Sequence, residues 1–487
     1  MPPALARLAV LVSGAAILVV ETLATRLVAP YVGLTLESTT AVIGVALAGI
    51  AAGAALGGKR ADAASPRGVA AGALTLGGLG VLAVAPIVRL AGPAFDPGPA
   101  GAIGLVALST LPSVTALAMV TPAITRARLT GLDGSGTVIG SLSAAGTIGS
   151  LAGTFLTGFV LVTLLPTTAI LIVTAAACLA LALAVATVRS RQDLQGAGGV
   201  AAVLLLALVV VPSRCDVDTV YHCARVVPDP ERGSVRFLVL DDLRHSAVDL
   251  ADPAALEFAY TRRFAAAIDA AFPMTSPPTP LRAVHVGGGG FTMPRLLAAT
   301  RPGSTSTVLE VDAGVVALGR RELGVDAVPG LDVRIGDART TLRALPAASA
   351  DLVVGDAFGA RSVPWHLATV EFAADVRRVL APGGIYVLNV IDHDPLALLA
   401  AETVTLQREF AHVTVLIRPD QLTRGAGGNA VLVAADRAVD PAALDAALAV
   451  HGEPGARLAD PAPLVRGAGV LTDEHAPVDQ LLTPYAR

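Results

Sequence analysis

Cysteine, aromatic residues and charged residues are all scarce in this chain of 487 residues. Its three cysteines exclude a disulfide-rich scaffold and a zinc ribbon, and we predict no metal site. Only 15% of the residues are charged, against about 25% in ordinary soluble proteins, so a purely soluble protein is not expected. The 49 glycines and 33 prolines follow no repeat, which excludes a collagen-like chain.

The few charges are divided unevenly. Residues 1–212 contain ten basic and six acidic side chains, a net charge of +4, and no histidine. Residues 213–487 contain 25 basic and 33 acidic side chains, a net charge of −8, and all eight histidines. This division indicates a first part in lipid and a second part in water. The acidic second part has no basic surface for phosphates, so we expect no nucleic-acid partner.

The first part contains apolar runs long enough to cross about 30 Å of hydrocarbon. We place them at 5–31, 38–58, 68–92, 99–123, 136–165, 167–188 and 197–213. They predict an all-α, multi-pass bundle of about seven spans over residues 1–213, in the cell membrane with the lipid bilayer as partner. In the second run, the spacing Gly49-x3-Gly53-x3-Gly57 predicts close approach of helix backbones.

Basic residues in short loops predict the orientation of the bundle. They lie at the N-terminus and in three alternate loops: Arg7; Lys59, Arg60 and Arg67; Arg126 and Arg128; Arg189 and Arg191. These segments should be cytoplasmic. An odd number of spans would then place residues 214–487 on the outer side.

Glu21 and Arg26 lie within or at the edge of the first run. An ionisable group at membrane depth costs a few kcal/mol on insertion scales, so it needs a partner or a role. Either the two residues form a pair that holds the bundle together, or Glu21 lines a polar cavity that handles a substrate or a proton.

After Pro212 the pattern changes to short alternating strands. Tyr221–Val227 and Arg236–Leu240 predict a small antiparallel sheet, and Pro253–Ala271 has helical periodicity. Several prolines between 273 and 280 predict a linker that closes a small domain over residues 214–280.

From residue 281 strands alternate with helices, which predicts an α/β, Rossmann-like domain with a parallel sheet over residues 281–487. The predicted strands are Ala283–Val286, Thr307–Val311, Val333–Ile335, Leu352–Val354 and Tyr386–Val390, with a helix at Met293–Thr300 after the first.

Glycines or acidic residues lie at the ends of the first four of these strands. Gly287–Gly290, Glu310, Asp337 and Asp356 occupy positions where such sheets bind ligands. Glu310 suits ribose hydroxyls and Asp337 suits the amine of adenine, while no basic cluster is placed to neutralise phosphates. Each acid alone is equally compatible with a surface or helix-capping role. The three together predict a site for a nucleoside without phosphate.

Residues 215–435 resemble the spermidine synthase family, the polyamine aminopropyltransferases. The matching motifs are Tyr221-His222, Leu240-Asp241-Asp242-Leu243-Arg244-His245, Tyr260, Val284-His285-Val286-Gly287-Gly288-Gly289-Gly290-Phe291, Arg295, Val308-Leu309-Glu310-Val311-Asp312, Gly336-Asp337-Ala338, Asp351-Leu352-Val353-Val354-Gly355-Asp356, Thr369-Val370-Glu371-Phe372 and Leu380-Ala381-Pro382-Gly383-Gly384. The first part, with Ser13-Gly14 and Glu21-x4-Arg26, resembles the multi-span region fused to such domains in some bacterial proteins.

The resemblance implies a membrane-bound transferase that moves an aminopropyl group from decarboxylated S-adenosylmethionine to a small-molecule amine, with no permanently bound cofactor. Asp356 would be the general base, because an amine must lose its proton to attack. The implied co-substrate site comprises Gly287, Gly288, Gly289, Glu310, Asp312, Asp337 and Ala338, and the implied amine site comprises Tyr221, His245 and Tyr260.

The chain departs from the family where a diamine would be held. Gly359 replaces a second aspartate of the catalytic loop, His245 replaces a glutamine, Thr261 replaces a histidine, and Gly290 replaces an aspartate. The acceptor is therefore open. His366 is placed either near Asp356 or at a helix start, and we expect His285 to be a hydrogen-bonded core residue.

Two alternatives to a cytoplasmic transferase stay open. Adenosyl sulfonium substrates are cytoplasmic, whereas the loop charges place the second part outside, where Cys215 and Cys223 could form a disulfide. The second part would then be an extracytoplasmic enzyme on an envelope substrate. Alternatively, the protein is a transporter or sensor whose second part only binds a nucleoside. The resemblance is compatible with a homodimer.

Overall fold

A computed structural model of the chain describes residues 1–32, 36–96, 99–129, 131–186, 191–359 and 363–482. The chain divides into two compact units, Met1–Cys223 and Ala224–Arg487. Arg189 lies outside the described residues, and so does the side chain of Arg191.

The first unit is helical. Its elements are α1 (Pro3–Val32), α2 (Leu36–Ala63), α3 (Pro66–Ala91), α4 (Pro99–Ala118), α5 (Val120–Arg128), α6 (Ser135–Leu156), α7 (Val162–Leu164), α8 (Thr167–Val185), α9 (Arg191–Val210) and a short strand, β1 (Val217–Asp218). Among the described residues, six helical segments are long and apolar enough to cross a membrane: Pro3–Val32, Ser38–Ala63, Pro66–Ala94, Pro99–Arg128, Ser135–Leu164 and Thr167–Val185. They confirm the multi-pass bundle and its first six predicted spans.

The seventh predicted span, 197–213, forms most of α9, but it differs from the other six. Its described apolar stretch, Gly196–Val210, is shorter than theirs. The whole of α9 has 20 residues, about 30 Å at 1.5 Å per residue. Leu208 is buried in the core of the bundle, whereas Val209 is 82% exposed, so α9 packs on the bundle through one face.

Small residues bring the helices of the first unit together, as the glycine spacing predicts. A Cβ atom at Gly53 would lie 2.3 Å from the carbonyl oxygen of Thr115, and one at Gly57 would lie 2.6 Å from Cα of Met119. These distances are too short for any side chain, so α2 packs backbone to backbone against α4 and its continuation.

In the first unit, Arg26 forms an ion pair with Asp218, in which Arg26 Nη2 lies 2.8 Å from Asp218 Oδ1. The partner of Arg26 therefore lies outside the first predicted span. Glu21 is half-buried in α1. Cys215 and Cys223 form a disulfide in the same unit, and Cys178 is a buried thiol.

The second unit begins with a small antiparallel sheet, as predicted. Within the second unit its strands are β2 (Cys223–Pro228), β3 (Val235–Leu240) and β4 (Leu243–Asp249). The helix that follows, α10 (Ala259–Ala271), starts six residues later than predicted. The side chain of Asp252 accepts a hydrogen bond from the backbone N–H of Ala254 and thereby stabilises a turn in place of the first helical turns.

A seven-stranded mixed sheet forms the centre of the second unit. Its strands are β5 (Arg282–Val286), β6 (Thr305–Glu310), β7 (Leu331–Ile335), β8 (Ala350–Gly355), β9 (Leu380–His393), β10 (His412–Leu416) and β11 (Gly427–Ala435), in the order β10-β11-β9-β8-β5-β6-β7. The five predicted strands are parallel, and β10 and β11 extend the sheet in antiparallel fashion.

Helices cover both faces of this sheet. They are α11 (Thr292–Thr300), α12 (Ala313–Glu322), α13 (Ala338–Arg343), α14 (Val370–Val379), α15 (Ala397–Glu409), α16 (Pro441–Val450), α17 (Ala462–Val465) and α18 (Val478–Leu481). On β8, Val353 packs into the core on one face, whereas Leu352 and Val354 pack into the core on the other. This double burial explains why the strands are continuously apolar up to the polar residues at their ends.

Candidate active site

The candidate site lies at the carboxyl ends of β5, β6 and β8. Because these strands are parallel, their ends meet at one edge of the sheet: Gly287 N–H donates to the carbonyl of Leu309, and Asp356 N–H donates to that of Val286. Gly287 has φ +95°, and a Cβ atom there would lie 2.5 Å from the carbonyl oxygen of Asp356. Only glycine fits this turn.

Glu310 is held beneath the glycine loop. Its Oε2 accepts a hydrogen bond from Gly288 N–H at 2.8 Å, and its Oε1 accepts one from Asp312 N–H at 2.9 Å. Burial raises the pKa of Glu310, although these amide hydrogen bonds favour the carboxylate. Because a carboxylate offers about four lone-pair sites, the two oxygens can also accept bonds from a ligand's vicinal hydroxyls.

Asp356 lies on the other side of the same loop and is half-buried. Its Oδ1 accepts a hydrogen bond from Asn389 Nδ2 at 2.9 Å, and its Oδ2 accepts one from the hydroxyl of Tyr260 at 3.0 Å. Asn429 Nδ2 in turn donates to Asn389 Oδ1 at 3.0 Å. Burial raises the pKa of Asp356 to about 6, against the opposing effect of its two hydrogen-bond donors. A carboxylate with this pKa is charged at neutral pH and is a competent proton acceptor.

Asp337 and Asp312 both begin helices. Asp337 accepts a hydrogen bond from Thr340 N–H at the start of α13, and Asp312 accepts one from Gly314 N–H at the start of α12. His366 Nε2 lies 2.8 Å from Asp337 Oδ2, so this histidine is placed beside Asp337. Despite partial burial, the bonds from Thr340 and His366 lower the pKa of Asp337. Ala338 is buried in the first turn of α13.

The residues assigned to the amine site are spread over both units. Tyr260 reaches Asp356, whereas His245 is half-buried in β4, next to Ser246, whose Oγ accepts a hydrogen bond from Gly290 N–H at 2.9 Å. Tyr221 belongs to the first unit and is 48% exposed. The roles of all three in binding an amine stay predictions.

His285 is the hydrogen-bonded core residue that we predicted. It is 2% exposed, and its Nε2 lies 3.1 Å from Ser306 Oγ. Burial lowers the pKa of His285 to about 3, so the ring is neutral.

The structure thus brings together the glycine loop, Glu310, Asp356 and Tyr260, and it adds Asn389 and Asn429, which were not predicted from the sequence. Asn389 had a detectable signal, because it is a polar residue inside the apolar run 385–391 of β9. Asn429 had a weaker signal in the sequence, because it follows two glycines in a strand that was not predicted.

The described residues of the first unit include six helical segments long and apolar enough to cross a membrane, and the second unit is an α/β, Rossmann-like domain preceded by a small antiparallel sheet. Part of the chain is homologous to spermidine synthases. It is 30% identical over 121 residues to a polyamine aminopropyltransferase from Vibrio vulnificus (strain CMCP6), a match that covers 24% of this chain and 40% of that protein. The chain therefore spans less than half the length of this curated relative. No family model matches the chain.

Solved structures are similar to part of this chain. A probable spermidine synthase from Corynebacterium glutamicum ATCC 13032 is 28% identical, with a TM-score of 0.50, and the match covers 56% of this chain and all of that one. A spermidine synthase in complex with the transition-state analogue AdoDATO is 18% identical, with a TM-score of 0.40, over 50% of this chain and 85% of that one.

Proposed function

We propose that the second unit is a transferase of the aminopropyltransferase type, which uses an adenosyl sulfonium donor and an amine acceptor. The observation that carries this proposal is the position of Asp356. It is a half-buried carboxylate with an elevated pKa, oriented by Asn389 and Tyr260 beside the glycine loop. The similar proteins support the same chemistry, since one is a polyamine aminopropyltransferase and another is a probable spermidine synthase.

In the proposed reaction the amine nitrogen attacks the carbon next to the sulfonium sulfur of decarboxylated S-adenosylmethionine. The new C–N bond forms as the C–S bond breaks, and the electron pair of that bond stays on sulfur. The neutral thioether, methylthioadenosine, leaves. Asp356 accepts the proton from the amine, which is general-base work. Glu310 would hold the ribose.

The Tyr260→Phe variant tests the environment of this base. Tyr260 O–H donates to Asp356 and stabilises its charged form, so its loss should raise the pKa of Asp356 above about 6. We expect the acidic limb of the pH profile of methylthioadenosine release to move to higher pH by roughly 0.5–1 unit, since a net hydrogen bond contributes about 1 kcal/mol. Phenylalanine keeps the ring that packs edge-on against Phe264. An unchanged profile would contradict this assignment.

A second candidate function, an extracytoplasmic enzyme on an envelope substrate, is supported by the path of the chain through the first unit. Arg89, near the carboxyl end of α3, donates hydrogen bonds to the carbonyls of Leu208 and Val211 at the carboxyl end of α9. The amino end of α3 is at Pro66, which lies in the sequence between Lys59, Arg60 and Arg67 of the basic loop. Hence α9 ends opposite that basic loop.

By the positive-inside rule the basic end is cytoplasmic, so we propose that the second unit follows on the outer side. The Cys215–Cys223 disulfide agrees with this side, because disulfides persist in oxidising compartments. A donor other than a cytoplasmic adenosyl sulfonium would then be needed, while the strand-end carboxylates would keep their roles.

Thiol labelling of spheroplasts distinguishes the two candidates. Cys178 is buried and the other two cysteines are bonded, so the native background is low. We expect a Val450→Cys variant, at a position 84% exposed in the second unit, to react with a membrane-impermeant maleimide before lysis. An Ala64→Cys variant in the exposed loop after α2 should react only after lysis. Labelling of Val450→Cys only after lysis would place the second unit in the cytoplasm and would refute the extracytoplasmic candidate.

A further inference from the structure

A cavity of about 190 Å³ lies within the first unit, at the end where α9 finishes. Residues from α1, α3, the start of α8 and the segment after α9 line it. At roughly 30 Å³ per molecule, its volume equals that of about six waters, which is enough for a small polar group.

The charges that face this cavity are strongly unbalanced. Arg26, Arg89 and Arg214 line it, and Asp218 is the one carboxylate among its described lining residues. Asp218 is also committed, since its Oδ1 accepts from Arg26 at 2.8 Å and its Oδ2 accepts from Thr167 N–H and Oγ1. The cavity therefore has an excess of about two positive charges.

The arginines also have structural contacts, but these leave donors for a ligand. Arg214 Nη1 donates to the carbonyl of Pro30, and its guanidinium lies 4.5 Å from the ring centroid of Tyr31. Arg89 donates through Nη1 to two carbonyls of the α9 end and through Nη2 to Thr168 Oγ1. A guanidinium carries five N–H donors, more than these bonds use.

Two hydroxyls add neutral donors. Thr168 Oγ1 accepts its bond from Arg89, and Ser213 Oγ accepts one from Cys215 N–H at 3.1 Å. Each hydroxyl also carries a proton that it can donate to a ligand acceptor. The lining thus combines guanidiniums with hydroxyls, and this is a donor set suited to tetrahedral oxyanions.

We propose that this cavity binds a phosphate group. The excess of about two positive charges matches the charge of a phosphate ester or of inorganic phosphate, and guanidiniums bind phosphate oxygens in pairs. Leu90, next to Arg89, is 68% exposed, and Val210 at the end of α9 is 66% exposed. The cavity therefore lies level with lipid-facing side chains, so the phosphate can belong to a lipid headgroup or to a solute.

The test measures binding to the purified, delipidated full-length protein. One arm titrates phosphatidylglycerol, with diacylglycerol as the phosphate-free control, and counts bound lipids by native mass spectrometry. The other arm titrates inorganic phosphate at constant ionic strength and measures binding by equilibrium dialysis. We expect saturable binding in at least one arm: the lipid arm alone identifies a headgroup site, and the phosphate arm identifies a solute site.

Variants separate this site from general charge effects. Arg214→Gln should weaken binding about tenfold or more, the equivalent of one lost charge-assisted hydrogen bond. Thr168→Val should weaken binding by a smaller factor. If Arg214→Gln does not fold, the binding measured for Thr168→Val tests the proposal instead. Arg126→Gln is the control, because Arg126 lies in the same unit but pairs with Asp62 outside the cavity, and this variant should bind normally. Absence of saturable binding in both arms, unchanged binding in the cavity variants that fold, or equal loss in the control would overturn the proposal.

Discussion

The Asp356→Asn variant is expected to lose methylthioadenosine release by roughly 10²–10⁴-fold, the usual range for removal of a general base. Asparagine keeps the size of the side chain and can still contact Asn389 and Tyr260, but it cannot accept a proton at neutral pH. Turnover of decarboxylated S-adenosylmethionine with a panel of amines measures the loss. Donor binding, measured by calorimetry, should change little because Glu310 lies on the other side of the loop.

The matched control is Asp351→Asn. Asp351 lies near the start of β8, at the opposite end of the strand from Asp356, and pairs with Arg282 at 2.7 Å. This variant should keep its activity. Equal activity in wild type and Asp356→Asn would show that Asp356 is not the general base. A wild type that binds the donor but turns over no amine would instead favour a unit that only binds a nucleoside.

The wild-type protein is expected to lose stability as the pH rises toward alkaline values, and the Glu402→Gln variant is expected to lack this loss. Glu402 is 1% exposed in α15, and its Oε1 has no hydrogen-bond partner among the described residues. Burial raises the pKa of Glu402 to about 8. The folded state therefore holds this proton between pH 4.5 and about 8 while the unfolded chain releases it, so stability falls as pH rises through that window.

The expected difference is on the order of 4 kcal/mol at pH 8 and close to zero at pH 4.5, because one pKa unit corresponds to about 1.4 kcal/mol. Trp365, the single tryptophan of the chain, reports unfolding of the second unit by fluorescence. Glu409→Gln, on the same helix with a half-exposed side chain, should keep the wild-type pH slope. If Glu402→Gln also kept that slope, Glu402 would not be a buried neutral acid.

The general architecture was predictable because its signals are local. Apolar runs, small-residue spacing and loop charges depend on a few residues in a row, and a lipid solvent forces such runs into helices. The strand ends were predictable too, since a parallel sheet brings the carboxyl ends of its strands to one edge. Glycines and acids at the ends of successive strands, including Glu310 and Asp356, had to meet there.

The sequence by itself therefore determined a multi-span first part, a Rossmann-type second part and the edge of the sheet that carries the carboxylates. Only the tertiary structure decided which distant groups touch: Asn389 and Tyr260 on Asp356, His366 on Asp337, Asp218 on Arg26, and β11 beside β9. These contacts join residues that are 29 to 192 positions apart along the chain. No local periodicity encodes such pairs, because they form when whole elements pack and because the desolvation of a charge depends on everything around it.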